Sequence, residues 1–151
     1  MSRSETLYTQ IEAAMRKAWW PVARIADLDR PRLAVLMGEE LVVYRTVGGA
    51  VAVASNRCPH RGAGLAIGEV IGENIQCPYH GWEFAVDGSC ARIPSLNAGE
   101  KIASNVVLKT YPAREHLGLV WTALEDPVVG LPAPSELEGA QITWEVGTPI
   151  H

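Results

Sequence analysis

Four side chains of this sequence stand in two near-duplicate phrases, Cys58-Pro59-His60-Arg61-Gly62 and Cys77-Pro78-Tyr79-His80-Gly81. The pattern is C-x-H-x16-C-x2-H, in a chain with only three cysteines and four histidines. Thiolate and neutral imidazole are both good ligands for iron and zinc. Two of each can close one tetrahedral zinc site. They can equally hold a [2Fe–2S] cluster, with both cysteines on one iron and both histidines on the other. A third reading, in which these residues bind no metal, stays open on residue types alone. Order along the chain weighs toward the cluster. Structural zinc sites commonly take paired cysteines first and paired histidines later. Here each phrase supplies one of each, so two loops grip a two-metal centre from opposite sides. Gly62, Gly64 and Gly81 let backbone N–H groups approach sulfur closely, and Pro59 and Pro78 stiffen each loop directly after its cysteine.

With Trp82 added to the second phrase, the pair resembles the two cluster-binding boxes of the Rieske family, and within it the Rieske non-haem iron oxygenases. The resemblance implies that Cys58 and Cys77 hold one iron of a [2Fe–2S] cluster and that His60 and His80 hold the other. Two departures from the high-potential Rieske proteins of cytochrome bc complexes carry meaning. Those proteins have an extra cysteine in each box, paired as a disulfide, and here Ala63 and Tyr79 take those slots. They also place a serine and a tyrosine after the second box as hydroxyl donors, and here Trp82 and Phe84 stand there. Fewer hydrogen bonds stabilise the reduced cluster less, which places the expected potential near roughly −150 mV rather than roughly +300 mV. The phrases Ile93-Pro94, Tyr111-Pro112 and Glu115-x-x-Gly118-Leu119-Val120-Trp121 also match the oxygenases, so the resemblance runs over about residues 20–124.

What the resemblance implies is an oxidoreductase component, dioxygenase or monooxygenase, of the aromatic-ring-hydroxylating or O-demethylating kind. Its Rieske domain takes electrons from a reductase or ferredoxin and passes them to a mononuclear Fe(II). That iron sits on two histidines and one carboxylate, an open site for O2. No D-x2-H-x4-H box for it occurs here. The mononuclear iron is thus expected only in a catalytic domain missing from this chain, and no residue here is assigned a catalytic role. A homotrimer, with the catalytic domain of the same or a neighbouring subunit as acceptor, is the assembly implied. The alternative is a free-standing Rieske-type ferredoxin, an electron carrier, and a zinc-bound structural domain is a further class. The organic substrate and the identity of the reductase are not legible.

The elements that must carry these loops read as follows. Residues 2–18 form one amphipathic helix, with Ser2 and Glu5 as a capping box and Leu7, Ile11, Met15 and Ala18 along one face, ended by Pro21. A packing role is expected for it, and Trp19 and Trp20 are expected to anchor a core. Strands are expected at 32–37, 40–46 and 51–55, with turns at Gly38 and at Gly48-Gly49. Residues 69–71 and 75–77 make a hairpin around Gly72-Glu73-Asn74. Trp82, Phe84 and Val86 alternate inward against Glu83, Ala85 and Asp87 in a half-buried strand, closed by Asp87-Gly88. Residues 92–101 loop, and 106–112, 117–124 and 143–146 are later strands. The fold class is all-β, mainly antiparallel, with small sandwich- or barrel-like sheets, two hairpin loops around the cluster and one N-terminal helix. The domains are a helix (1–18), a Rieske domain (19–124, cluster-binding subdomain about 56–88) and a connector (125–151) rich in proline and glycine.

Composition bounds the rest. At 151 residues the chain suffices for one domain with a core. A formal net charge of −4 argues against nucleic acid as partner. No apolar run reaches the roughly 18 residues of a membrane helix, and residues 1–6 carry no apolar signal core, so no membrane is expected and the cytoplasm is the expected location. Cys90 lacks a partner cysteine and reads as a reduced, partly buried thiol. His116 reads as a polar side chain near a strand start, His151 has no assigned role, and Arg61 is either a docking charge or a local salt bridge.

Overall fold

The computed structural model describes residues 3–133 apart from residue 98. Ser2 of the expected capping box, the expected strand at 143–146, His151 and the later part of the connector lie outside the described residues. Helix α1 runs over Arg3–Arg16. Eleven short strands follow among the described residues: β1 (Trp20–Arg24), β2 (Arg32–Leu36), β3 (Glu39–Arg45), β4 (Val51–Ser55), β5 (Glu69–Ile71), β6 (Asn74–Gln76), β7 (Glu83–Phe84), β8 (Cys90–Arg92), β9 (Thr110–Tyr111), β10 (Ala113–His116) and β11 (Leu119–Thr122). They form three antiparallel sheets, ordered β2-β3-β4-β9, β1-β11-β10 and β5-β6-β7-β8. The expectation of an all-β, mainly antiparallel fold with one helix holds.

The central sheet is apolar on both faces, and the sequence of β3 shows why. Leu41, Val42, Val43 and Tyr44 run without a polar break and are all fully buried. Successive strand residues point to opposite faces. Val42 and Tyr44 enter one core with Ala52, Ala54, Cys58, Leu65, Ile75, Cys77, Phe84 and Leu108. Leu41 and Val43 enter a second with Leu28, Val53, Tyr111, Val120 and Leu124. The β5–β8 sheet thus packs on one side of the central sheet and the β1-β11-β10 sheet on the other. Both expected ligand cysteines are members of the first core.

Several expectations shift in detail. β2 and β3 are joined at Met37 (φ 49) and Gly38 (φ 78), a two-residue turn with both central residues left-handed. Pro21 does not end the helix, which stops at Arg16. It lies inside β1 at a register shift between Pro21 and Ala23, where a missing N–H is tolerated. Trp19 and Trp20 are half-buried and join neither core; the Trp20 indole instead donates to the Met15 carbonyl at 2.9 Å, fastening the helix end. The helix does not pack its apolar face: Leu7 (57%), Ile11 (46%) and Met15 (39%) are exposed. The strand expected from Trp82 to Asp87 shrinks to two residues, with Val86 exposed and Glu83 buried. β8 and β10 form in stretches for which no strand was expected, β8 ending on the first residue of the expected 92–101 loop. His116 is the last residue of β10 and stands, as expected, just before the start of the next strand, β11. Among the described residues no helix is long and apolar enough to cross a membrane.

Candidate metal centre

The two phrases fold into the same loop. In the first, Gly62 N–H donates to Cys58 C=O (2.8 Å) and Cys58 N–H to Ala63 C=O (2.9 Å). In the second, Gly81 N–H donates to Cys77 C=O (3.0 Å) and Cys77 N–H to Trp82 C=O (2.8 Å). Both closures need a left-handed residue at the fifth position, and Gly62 (φ 73) and Gly81 (φ 69) supply it. Gly64, also expected to open the backbone, keeps negative φ and instead lies against the Asn56 side chain. Asn56 ties the first loop down: its carbonyl accepts from Leu65 N–H and its Oδ1 from Ala66 N–H, both at 2.8 Å. Gly68 lets the loops approach, since a Cβ there would run into the Gln76 carbonyl oxygen and toward the Pro78 ring. The frames match, but the histidine sits at the third position of one loop and the fourth of the other.

That one-residue offset sorts the ligands by type. Cys58 and Cys77 are both 2% exposed and meet in the core. Burial, with the neighbouring Cys77 thiol adding to it, pushes the Cys58 thiol up to about 11. The backbone N–H groups of His60 and Arg61 act in the opposite direction, favouring the thiolate. His60 and His80 reach the surface side by side, ring centroids 4.7 Å apart and planes at 57°. Desolvation, then the charges of His80 and Arg61, lower the His60 pKa, toward the neutral form a metal takes. Among the described residues no three His, Cys, Asp or Glu side chains converge as they would around one ion. The four candidates form a sulfur pair and an imidazole pair instead. That arrangement fits the donor set of a two-iron cluster better than a single tetrahedral zinc.

An aromatic ring lies beside each imidazole. The Trp82 indole lies over His60 at 4.2 Å with planes 5° apart, and the Tyr79 ring lies 4.0 Å from His80, tilted 40°. Sequence reasoning placed Trp82 in the second box, as a position without a hydroxyl and on the inward face of a strand, and did not see this stack. Next to Trp82 in the chain, buried Glu83 accepts from Arg92 (2.9 Å), Gln76 (3.2 Å) and Asn74 (3.3 Å). Burial raises the pKa of this carboxyl, but the Arg92, Asn74 and Gln76 donors outweigh it and hold it below the ordinary range. Arg61 is exposed and makes no ion pair among the described residues, so the local salt bridge considered for it is not formed. Cys90 is half-buried as expected; burial raises its thiol, which donates weakly to the Arg92 carbonyl.

Residues 18–112 match the family model of the Rieske [2Fe-2S] domain. The chain belongs to the Rieske family. The Rieske domain is 37% identical over 116 residues to the 3-chlorobenzoate-3,4-dioxygenase oxygenase subunit of Comamonas testosteroni, covering 75% of this chain and 27% of that protein. Apo dicamba monooxygenase is similar in structure, with TM-score 0.69 and 34% identity over 78% of this chain and 36% of that one. NdmA of Pseudomonas putida CBB5, solved with caffeine, gives TM-score 0.71 and 30% identity over 76% of this chain and 35% of that one. The Rieske domain therefore spans between a quarter and two fifths of these relatives, and its homology is to the Rieske part of oxygenases.

Proposed function

We propose that this Rieske domain is the electron-transfer module of a Rieske-type oxygenase, with Cys58 and Cys77 holding one iron of its [2Fe–2S] cluster and His60 and His80 the other. The observation that carries the reading is the sorting of the four side chains into a buried thiol pair and a surface imidazole pair. When bound, the cluster supplies reversible one-electron chemistry. The chain's own residues do the rest. The core that contains Cys58 and Cys77 keeps water from the sulfurs. The N–H groups of His60 and Arg61 lower the cost of negative charge at the Cys58 sulfur. His80 is exposed, giving electrons a short way in or out.

The donor in this reading is a reductase or ferredoxin. The acceptor is a mononuclear non-haem iron in a catalytic domain of the same or a neighbouring subunit, within a homotrimer in the cytoplasm. Oxygen insertion into an organic substrate belongs to that domain. Cys58→Ser and His80→Ala are the test. Each is expected to abolish the visible absorption of the reconstituted protein and the rhombic electron paramagnetic resonance signal of its reduced form. Native spectra in both variants sink the ligand assignment. A coding frame that continues past the codon for His151 and carries a D-x2-H-x4-H box supports the oxygenase; an immediate stop codon supports a free electron carrier.

A further inference from the structure

A histidine that binds a metal is ordinarily held in place through its other ring nitrogen, which donates to a carboxylate, a carbonyl or water. Nothing of that kind holds His60 among the described residues. Its ring makes no hydrogen bond there, and its loop neighbours Pro59 and Arg61 are exposed. An imidazole on two rotatable bonds at a loop tip needs some other restraint to present one nitrogen steadily. The ring face supplies it. Trp82 lies flat on His60, 4.2 Å away and 5° from parallel.

Trp82 is itself fixed from two directions. Its carbonyl accepts the Cys77 N–H at 2.8 Å, which closes the second loop. Its indole stands 6.5 Å from the ring of Phe84, a fully buried member of the shared core. One residue therefore joins the backbone of the second loop, the core, and the imidazole of the first loop. His80 has no equivalent, since its aromatic neighbour Tyr79 is tilted by 40° and is 65% exposed.

We propose that Trp82 is a positioning residue for the cluster, clamping the His60 imidazole across the two loops through the face of its ring. The inference rests on His60 being a ligand, as set out above. It is tested in the full 151-residue chain, reconstituted with iron and sulfide, using Trp82→Leu and Trp82→Phe. The readouts are the coordinated-nitrogen couplings in pulsed electron paramagnetic resonance of the reduced protein and the rate at which an iron chelator bleaches the oxidised one.

In Trp82→Leu one of the two nitrogen couplings is expected to shift or broaden while the other stays, with bleaching several-fold faster. In Trp82→Phe, which keeps a flat ring, both are expected to return most of the way to the wild type. Unchanged couplings and an unchanged bleaching rate in Trp82→Leu overturn the proposal. So does a Trp82→Leu chain without iron that loses as much stability as the loaded one, with Trp82→Phe failing to restore it, since that is a core filler. His60→Ala separates the two ideas: if it keeps both wild-type couplings, His60 is not a ligand and the reading beneath the proposal fails.

Discussion

At the scale of single residues, the site depends on positions with no functional group. Gly62 and Gly81 have nearly the same φ, but a Cβ at Gly62 would meet open space while one at Gly81 would come within 3.1 Å of Pro94 Cγ. Gly62→Ala should therefore cost only the left-handed backbone share, about 1 kcal/mol, and Gly81→Ala about 2 kcal/mol or more. Urea unfolding of the loaded protein measures both, and an equal cost would show that Pro94 yields freely. The hydroxyl-free pair Trp82 and Phe84 leads to a second expectation. A redox titration should find the midpoint near the low end of the Rieske range, roughly −150 mV. A value near roughly +300 mV would mean that other donors replace the missing hydroxyls.

At the scale of elements, the joint between α1, the central sheet and the connector is electrostatic. Glu39 at the start of β3 accepts from Tyr111 Oη (2.5 Å), Arg16 (2.5 Å) and Lys109 (3.2 Å). The Tyr111 hydroxyl first, then Arg16, hold its carboxyl at about 2, against an ordinary value of 4.5. A depressed carboxylate stabilises the fold fully above its unfolded pKa, and that contribution fades as pH falls from about 4.5 toward 2. Discounted for its partial exposure, Glu39→Gln should cost about 1–2 kcal/mol at pH 7. The gap to wild type should narrow between pH 5 and pH 2.5 in urea unfolding, and a gap independent of pH would rule out the charge as its cause. Elements were legible where side chains declare their strand face. Val51–Ser55 stands as read, and β2 and β3 differ by a residue or two at their ends. β10, Ala-Arg-Glu-His, has no β-branched or large aromatic residue and forms because Leu117 and Gly118 turn it back on β11. Glu83 was read as outward from simple alternation, and three donors that sequence order does not reveal keep it in. The four candidate ligands were legible because residue type and spacing are local; the stack on His60 was not, because it joins two loops.

At the scale of the whole molecule, three sheets share two cores, and the connector is clipped back along them. Leu124 and Glu125 N–H groups donate to the Arg16 carbonyl, Val128 N–H to that of Lys17, and His116 Nε2 lies 2.8 Å from the Pro132 carbonyl oxygen. His116→Ala should release the last of these clips. Limited proteolysis is expected to cut faster near residue 132, while global stability falls by no more than about 1 kcal/mol; unchanged cutting would show that the clip holds nothing. The sheet order also dictates a timetable for assembly. The β5–β8 sheet and both candidate metal-binding loops are built from neighbouring hairpins, whereas β1 must wait for β11, about a hundred residues downstream, to reach it. Local closures are faster than distant ones. A chain leaving the ribosome thus offers Cys58 and Cys77 to the surrounding medium before Leu108 arrives to complete the core around them. If these two thiols are iron ligands as proposed, iron delivery and thiol oxidation compete for them in that interval, so the yield of loaded protein should depend on the speed of translation as well as on the affinity of the finished socket.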